Sequence, residues 1–262
     1  METAAENKGV RCVAYTVRFQ TESAYKNMPY GRGTIYSSAC GPASLCNALH
    51  VLGIAEVSVP AMCTLAVKAG ARVEGGTWMP RLLQAAAPQY GFTYTTTSKN
   101  IELLRHLQQG GAAILHAGTQ YPLFSSGGHF VTAAQAHGNT ITVLDSYWYS
   151  TKYTSTALRR NYTHVLRKGV IETSLQQCGK ATLDRSPSYY LISKKILTES
   201  DSREDTMQYY KNLEDIPVYY RNAVQKLVAC GAIAGTGDGL NLSEDLCRAF
   251  TILDQAGVFT KK

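Results

Sequence analysis

A chain of 262 residues that is 45% hydrophobic and 17% charged is long enough for one large domain, or for an ordinary domain plus a small one, and too apolar to be disordered. The formal charge of +7 is uneven: 20 basic residues face 12 acidic ones before Asp205, and six face seven from there on. No apolar run approaches the roughly eighteen residues of a membrane span, and the start METAAENKGVRCVAYTVRF lacks an apolar stretch behind a basic one, so the sequence points to no membrane span, no Sec signal and a cytoplasmic place of synthesis.

In chain order, 11–36 predicts a short strand (RCVAYTVRF) followed by a Gly-rich loop (NMPYGRGT). Ala39–Leu52 carries Leu45, Ala48, Leu49 and Leu52 at helical spacing and ends at Gly53. Ser58 opens a second helix that runs to Ala69. A third is predicted over Thr77–Ala87, with Pro80 in its first turn and Pro88 after its end. Ser98 is expected to cap NIELLRHLQQG. Beyond an apolar run at Ala112–His116, the segments His129–Gln135 and Thr140–Asp145 predict a β-hairpin around a three-residue HGN turn. Val165–Gln176 is ambiguous, and Tyr189–Ser193 closes the sheet. Helices first and antiparallel strands later make an α+β plan.

TESDSREDT (198–206) reads as a polar linker. The boundaries are thus a domain over 1–198, a linker over 199–206 and a small helical module over 207–262. In that module Pro217–Cys230 is one amphipathic helix, and Ser243 caps a second. Their shared apolar face includes Val224, Leu227, Phe250 and Leu253. The lone Asp of GDGLN is too little for a calcium loop.

Seven cysteines, at 12, 40, 46, 63, 178, 230 and 247, form no CxxC pair, and no histidine pair has HExxH spacing. A disulfide framework, a metal or another cofactor is therefore not expected, and Cys46 and Cys63 read as small core residues. His50, His106 and His164 fit surface or satisfied core positions. The absence of dense Lys/Arg tracts or RNA-binding aromatic motifs argues against a nucleic-acid partner.

Cys40 is different. In YSSACGPASLCNALH it stands at a helix mouth, where unpaired N–H groups and the helix dipole favour a thiolate. A nucleophilic thiol needs a base and a group to orient that base. His129 opens the hairpin directly after SSGG, and Asp145 ends it. If the two lie nearly opposite, their Cβ atoms are about 5 Å apart. The aromatic stretch YWYSTKY (147–153) can serve as a substrate wall, through Tyr147 and Trp148, or as core. Gly127 and Gly128 would give a substrate close access to the backbone.

ACGPASLCNAL, followed by GGHFVTAAQAHGNTITVLDSY, resembles the papain-like peptidase C39 family, and GRGTIYSSAC is similar to the form found in its gram-positive and phage relatives. The resemblance covers about Tyr30–Tyr147. It implies a papain-like fold, with N-terminal helices packed on an antiparallel sheet. It also implies Cys40 as nucleophile, His129 as base and then acid, and Asp145 as the orienting residue. Such enzymes commonly carry an oxyanion-hole Gln about six residues before the cysteine, where this chain has Thr34. The Cys40 N–H can supply one donor, and Thr34, Ser38 and Gln20 are the candidates for the second. The tail is similar to one S-layer-homology unit, in which Arg248 would be the early helix arginine. Wall anchoring, a helical cap and a dimer contact all remain open for it.

These features lead us to expect a cysteine peptidase or amidase acting on peptides, with bacterial cell-wall peptides as the substrate class and later release toward the wall as its route. Transpeptidation or deamidation by the same triad, and a silent peptide- or ligand-binding protein, are the alternatives. The sequence leaves the oligomeric state open.

Overall fold

The computed structural model describes residues 15–195, 209–235 and 239–259. The chain divides into two compact units, Met1–Lys195 and Ile196–Lys262. Cys12 and the expected linker, 199–206, lie outside the described residues.

The Gly-rich loop that the sequence predicts is itself a small hairpin, β1 (Pro29–Tyr30) and β2 (Gly33–Thr34). A one-turn helix α1 (Ile35–Ser38) follows, opened by a capping box in which Thr34 Oγ1 accepts from the Ser37 amide. Next come α2 (Cys40–Val51) and α3 (Val59–Lys68), the latter capped by Ser58 as expected. A second small hairpin, β3 (Arg72–Val73) with β4 (Gly76–Thr77), leads into α4 (Met79–Tyr90). Contrary to expectation, α4 runs through Pro88. A proline in the last turn removes one N–H donor only, and the helix stops at Gly91, whose φ of 72° gives the left-handed cap.

The strand β5 (Phe92–Thr97) precedes α5 (Asn100–Gln108). Ser98 does not cap α5. Lys99 occupies that position without a side-chain bond, while Ser98 Oγ accepts from the distant Ser188 amide at 3.1 Å. There follow β6 (Ala112–Ala117), β7 (His129–His137), β8 (Thr140–Leu144), α6 (Ala157–Tyr162), β9 (His164–Arg167), β10 (Val170–Ser174), α7 (Leu175–Ala181) and β11 (Tyr189–Lys194). The ambiguous stretch is thus a strand pair running into a helix.

The seven long strands form one antiparallel sheet in the order β5-β11-β6-β7-β8-β10-β9. Its central strands alternate strictly between two cores. Ile114, Phe130, Tyr190 and Ile192 pack with α2, α3 and α4. Ala113, Leu115, Val131, Tyr189 and Leu191 pack with Leu103 and Leu107 of α5 and with Cys178 and Ala181 of α7. This unit is therefore α+β, with helices on both faces of the sheet rather than the N-terminal set alone.

The C-terminal unit holds β12 (Tyr209–Tyr210), a 3-10 turn at Leu213–Asp215, α8 (Val218–Ala229), β13 (Leu242–Ser243) and α9 (Glu244–Gln255). The expected helix pair is present. The β12–β13 pairing was not foreseen, because two-residue strands carry no period. Tyr210, Ile216, Val224, Leu242 and Cys247 form its core, while Leu253, expected on the inner face, is 41% exposed. Arg248 is exposed as well.

Candidate active site

Cys40 is the first residue of α2 and half-buried. Its placement depends on the next residue: a Cβ on Gly41 would lie 2.8 Å from Thr77 Cβ, so only glycine lets β4 close against the helix mouth. On the other side Thr132 Oγ1 donates to the Ser44 carbonyl at 2.8 Å and ties α2 to β7, the strand that His129 opens.

The β7–β8 turn contains two residues, Gly138 and Asn139, since His137 pairs with Thr140; the sequence had suggested three. A bulge between Ala133 and Gln135 then shifts the register, and the ladder continues as Ala133↔Val143 and Thr132↔Leu144. Extending it sets Asp145 opposite Val131, so His129 and Asp145 are diagonal neighbours and not a facing pair. They still meet. His129 Nε2 and Asp145 Oδ1 are 2.8 Å apart, with the residues 7% and 0% exposed. That contact occupies Nε2 and leaves Nδ1 on the ring, whose interaction with the Cys40 thiol shifts both groups.

Asp145 has a full shell. Oδ1 also accepts from the Tyr147 amide at 3.0 Å, and Oδ2 accepts from Lys152 Nζ and Tyr153 OH, both at 2.5 Å. Lys152 is 2% exposed and makes a second bond to the Tyr147 carbonyl at 2.8 Å. Nothing in YWYSTKY marks its lysine as a buried partner of a carboxylate, and the sequence reading missed both Lys152 and Tyr153.

The electrostatics follow from this geometry. Burial alone would raise the Asp145 pKa, but the charges of Lys152 and His129 and their hydrogen bonds hold it well below the usual carboxylate range. For His129, burial and Lys152 pull downward. The Asp145 charge and hydrogen bond, with the Cys40 bond, prevail and raise its pKa. Burial would raise Cys40, yet the bond and charge of His129, with the Phe130 and Gly41 amides, lower it. Elsewhere burial wins: Cys63 and Cys178 are pushed up to about 12, and Cys46 is raised further.

The oxyanion candidates separate clearly. Thr34 Oγ1 caps α1, and Ser38 Oγ bonds Ser37 Oγ at 3.0 Å. Gln20 is 2% exposed. Its Nε2 donates to the Tyr36 carbonyl at 2.7 Å, and its Oε1 accepts from Ser146 Oγ at 3.0 Å. A carbonyl can only accept, which fixes the amide orientation and leaves the second Nε2 hydrogen free. Gln20 thereby bridges the segment before Cys40 and the residue after Asp145.

The aromatic stretch divides. Tyr147 lies 6.3 Å from His129 ring to ring, bonds Tyr36 OH at 2.9 Å and meets Tyr149 at 6.2 Å. Tyr36 and Tyr149 are exposed. Trp148 instead packs on the buried Tyr153 at 5.7 Å, against the second core, so the aromatic wall beside His129 is built from Tyr147, Tyr36 and Tyr149 without it. Gly128 adjoins His129 with φ +80°, and Gly127 is exposed beside it. His106 is a satisfied core residue, its Nε2 lying within 3.0 Å of two carbonyls.

Among the described residues no cluster of His, Cys, Asp and Glu could hold a metal ion, and no helix is long and apolar enough to cross a membrane. In comparisons with known proteins, no family model matches this chain and no curated protein matches it.

Proposed function

We propose that the larger unit is a papain-like cysteine peptidase or amidase in which Cys40, His129 and Asp145 hydrolyse an amide bond of a peptide. The observation that carries this reading is the buried His129–Asp145 hydrogen bond next to Cys40, with the thiol lowered and the imidazole raised. Opposite shifts of two neighbouring groups move the pair toward thiolate and imidazolium.

In this reading the Cys40 thiolate attacks the amide carbonyl carbon. The Cys40 N–H and the free Gln20 Nε2 hydrogen receive the oxyanion. The His129 imidazolium protonates the leaving nitrogen as the C–N bond breaks, which leaves a thioester. Neutral His129 then takes a proton from water, the hydroxide adds to the thioester, and the Cys40 thiolate departs with the acid product released. Asp145 keeps the ring in place throughout. The basic excess before Asp205 and the resemblance to C39-like proteins favour anionic peptides, with those of bacterial cell walls as the leading class.

The test is a peptide library incubated with wild-type protein and with Cys40→Ala, read by mass spectrometry. New carboxyl termini that carry one oxygen from labelled water, and that are absent with Cys40→Ala, are expected. No mass change with either protein points to a binder. Products without labelled oxygen point to transfer to an amine.

A further inference from the structure

Four buried side-chain polar atoms lack a hydrogen-bond partner among the described residues, and three of them sit together: His116 Nδ1, Asp184 Oδ1 and Arg185 Nε. Such atoms are rare in folded proteins. Three in one place mark a spot whose hydrogen bonding the described residues do not complete.

Through Arg185 the spot reaches the backbone just before His129, while His116 and Phe130 point to the sheet face opposite the His129 side chain. His116 faces Phe130 across the β6–β7 ladder and stacks on its ring at 4.5 Å, and the next pair along is Ala117↔His129. Asp184 and Arg185 follow α7. Asp184 turns Oδ2 to the Thr119 amide at 2.9 Å, and a Cβ on Gly118 would fall 1.5 Å from Oδ1, so a bare glycine backbone makes room for it. Arg185 Nη2 comes within 3.1 Å of where a Cβ would stand on Gly128, one residue before His129. Successive Cα atoms are about 3.8 Å apart, so the guanidinium is a near neighbour of the His129 backbone. Burial and the Arg185 charge push His116 down to about 4, so its ring is neutral at neutral pH. With Asp184 bonded to backbone, Arg185 is the cation presented at Gly128.

We propose that Arg185, flanked by His116 and Asp184, forms a recognition subsite beside His129 that binds a free carboxylate of the peptide substrate. A guanidinium suits a carboxylate because its planar fork matches the two oxygens. Gly128 keeps the approach open, since any side chain there would meet Arg185 and would need φ +80°. The proposal rests on Cys40 being the nucleophile.

Two thiol reagents of similar size test both readings: iodoacetate, which carries a carboxylate, and iodoacetamide, which is neutral. Intact mass and peptide mapping give the alkylation rate of Cys40 with each. Arg185→Met is expected to lower the iodoacetate-to-iodoacetamide rate ratio about tenfold, the loss of one partly desolvated charge contact. Arg185→Lys is expected to keep most of the wild-type ratio. Asp184→Asn, which can still accept from the Thr119 amide, is expected to raise it several-fold, and a lowered ratio there counts against the subsite. Should Arg185→Met fail to fold, as a thermal melt would reveal, the lysine and asparagine variants retain opposite expectations. A wild-type ratio in folded Arg185→Met overturns the subsite. Slow alkylation of wild-type Cys40 by both reagents overturns the nucleophile reading instead, and the subsite with it.

Discussion

Asp145 and Arg185 are charged groups near His129, one at its ring and one at the backbone before it, and their surroundings are opposite. Asp145 is wholly buried and accepts four hydrogen bonds, from His129, Tyr147, Lys152 and Tyr153. Arg185 is half-buried, with a buried Nε that has no partner among the described residues and the atoms of His116 and Asp184, unpaired among those residues, beside it. A saturated shell holds a group in one geometry whether or not a ligand arrives. An unsaturated one leaves bonding capacity for a visitor. The contrast separates positioning from reception within one sheet end.

The largest expected effects fall on the saturated side. Cys40→Ala and His129→Ala should each lower hydrolysis by about 10⁴-fold or more, with Asp145→Asn leaving a measurable remnant, because the nucleophile and base are less dispensable than the group that orients them. Product mass against time measures this. Wild-type rates in Cys40→Ala would break the assignment.

Gln20→Ala should lower hydrolysis by about 10²- to 10³-fold, the loss of one oxyanion donor. Alkylation forms no oxyanion, so Cys40 should still react with iodoacetamide in that variant. Equal loss of both rates would make Gln20 a structural strut only.

Lys152→Met should cost about 3 kcal/mol in denaturant unfolding, since it leaves Asp145 charged and buried with one cation fewer. The sign with pH follows. A carboxylate held low in the folded state stabilises above its unfolded pKa, and this is lost as pH falls through the folded value. Wild type and Lys152→Met should therefore converge in acid. A constant gap would mean that Lys152 contributes by packing alone.

The pH dependence of thiol labelling sharpens the cysteine contrast. With its pKa lowered, Cys40 should keep its alkylation rate to lower pH than an ordinary thiol, which loses about tenfold per pH unit below its pKa. Cys63 and Cys178, held at about 12, should stay unlabelled in the folded protein. With His129 raised, turnover should persist above the usual imidazole range and fall once the ring loses its proton.

The smallest effect belongs to Thr34→Ala. Loss of its cap on α1 should cost about 1 kcal/mol, read as a small fall in melting temperature. A loss of turnover as deep as that of Gln20→Ala would return Thr34 to the oxyanion site.

Much of the candidate Cys40, His129 and Asp145 constellation was legible because its parts are local. A cysteine at a helix mouth before Gly-Pro, and a hairpin with His and Asp at its open end, are short-range patterns whose geometry follows from helix and strand periods. The diagonal His129–Asp145 pairing was not legible, since it depends on a bulge near Ala134 that no residue type announces. Ser98 reads as a cap until Ser188 is brought across the sheet to use its hydroxyl. Trp148 and Tyr147 are neighbours of the same class in sequence, and only packing sends one to the core and the other to His129.

By itself, then, the sequence determined the helical and hairpin segments, the candidate nucleophile and its base, and the change of charge balance near Asp205. Those depend on residue type and on spacings of a few positions. The tertiary structure alone decided that Lys152 is buried against Asp145, that Gln20 reaches the Cys40 segment from twenty residues upstream, and that Arg185 arrives at Gly128 with a nitrogen unpaired. The last two join chain segments far apart in sequence, and in all three a buried charge or amide acquires its role from the partners that folding supplies, which no local pattern encodes.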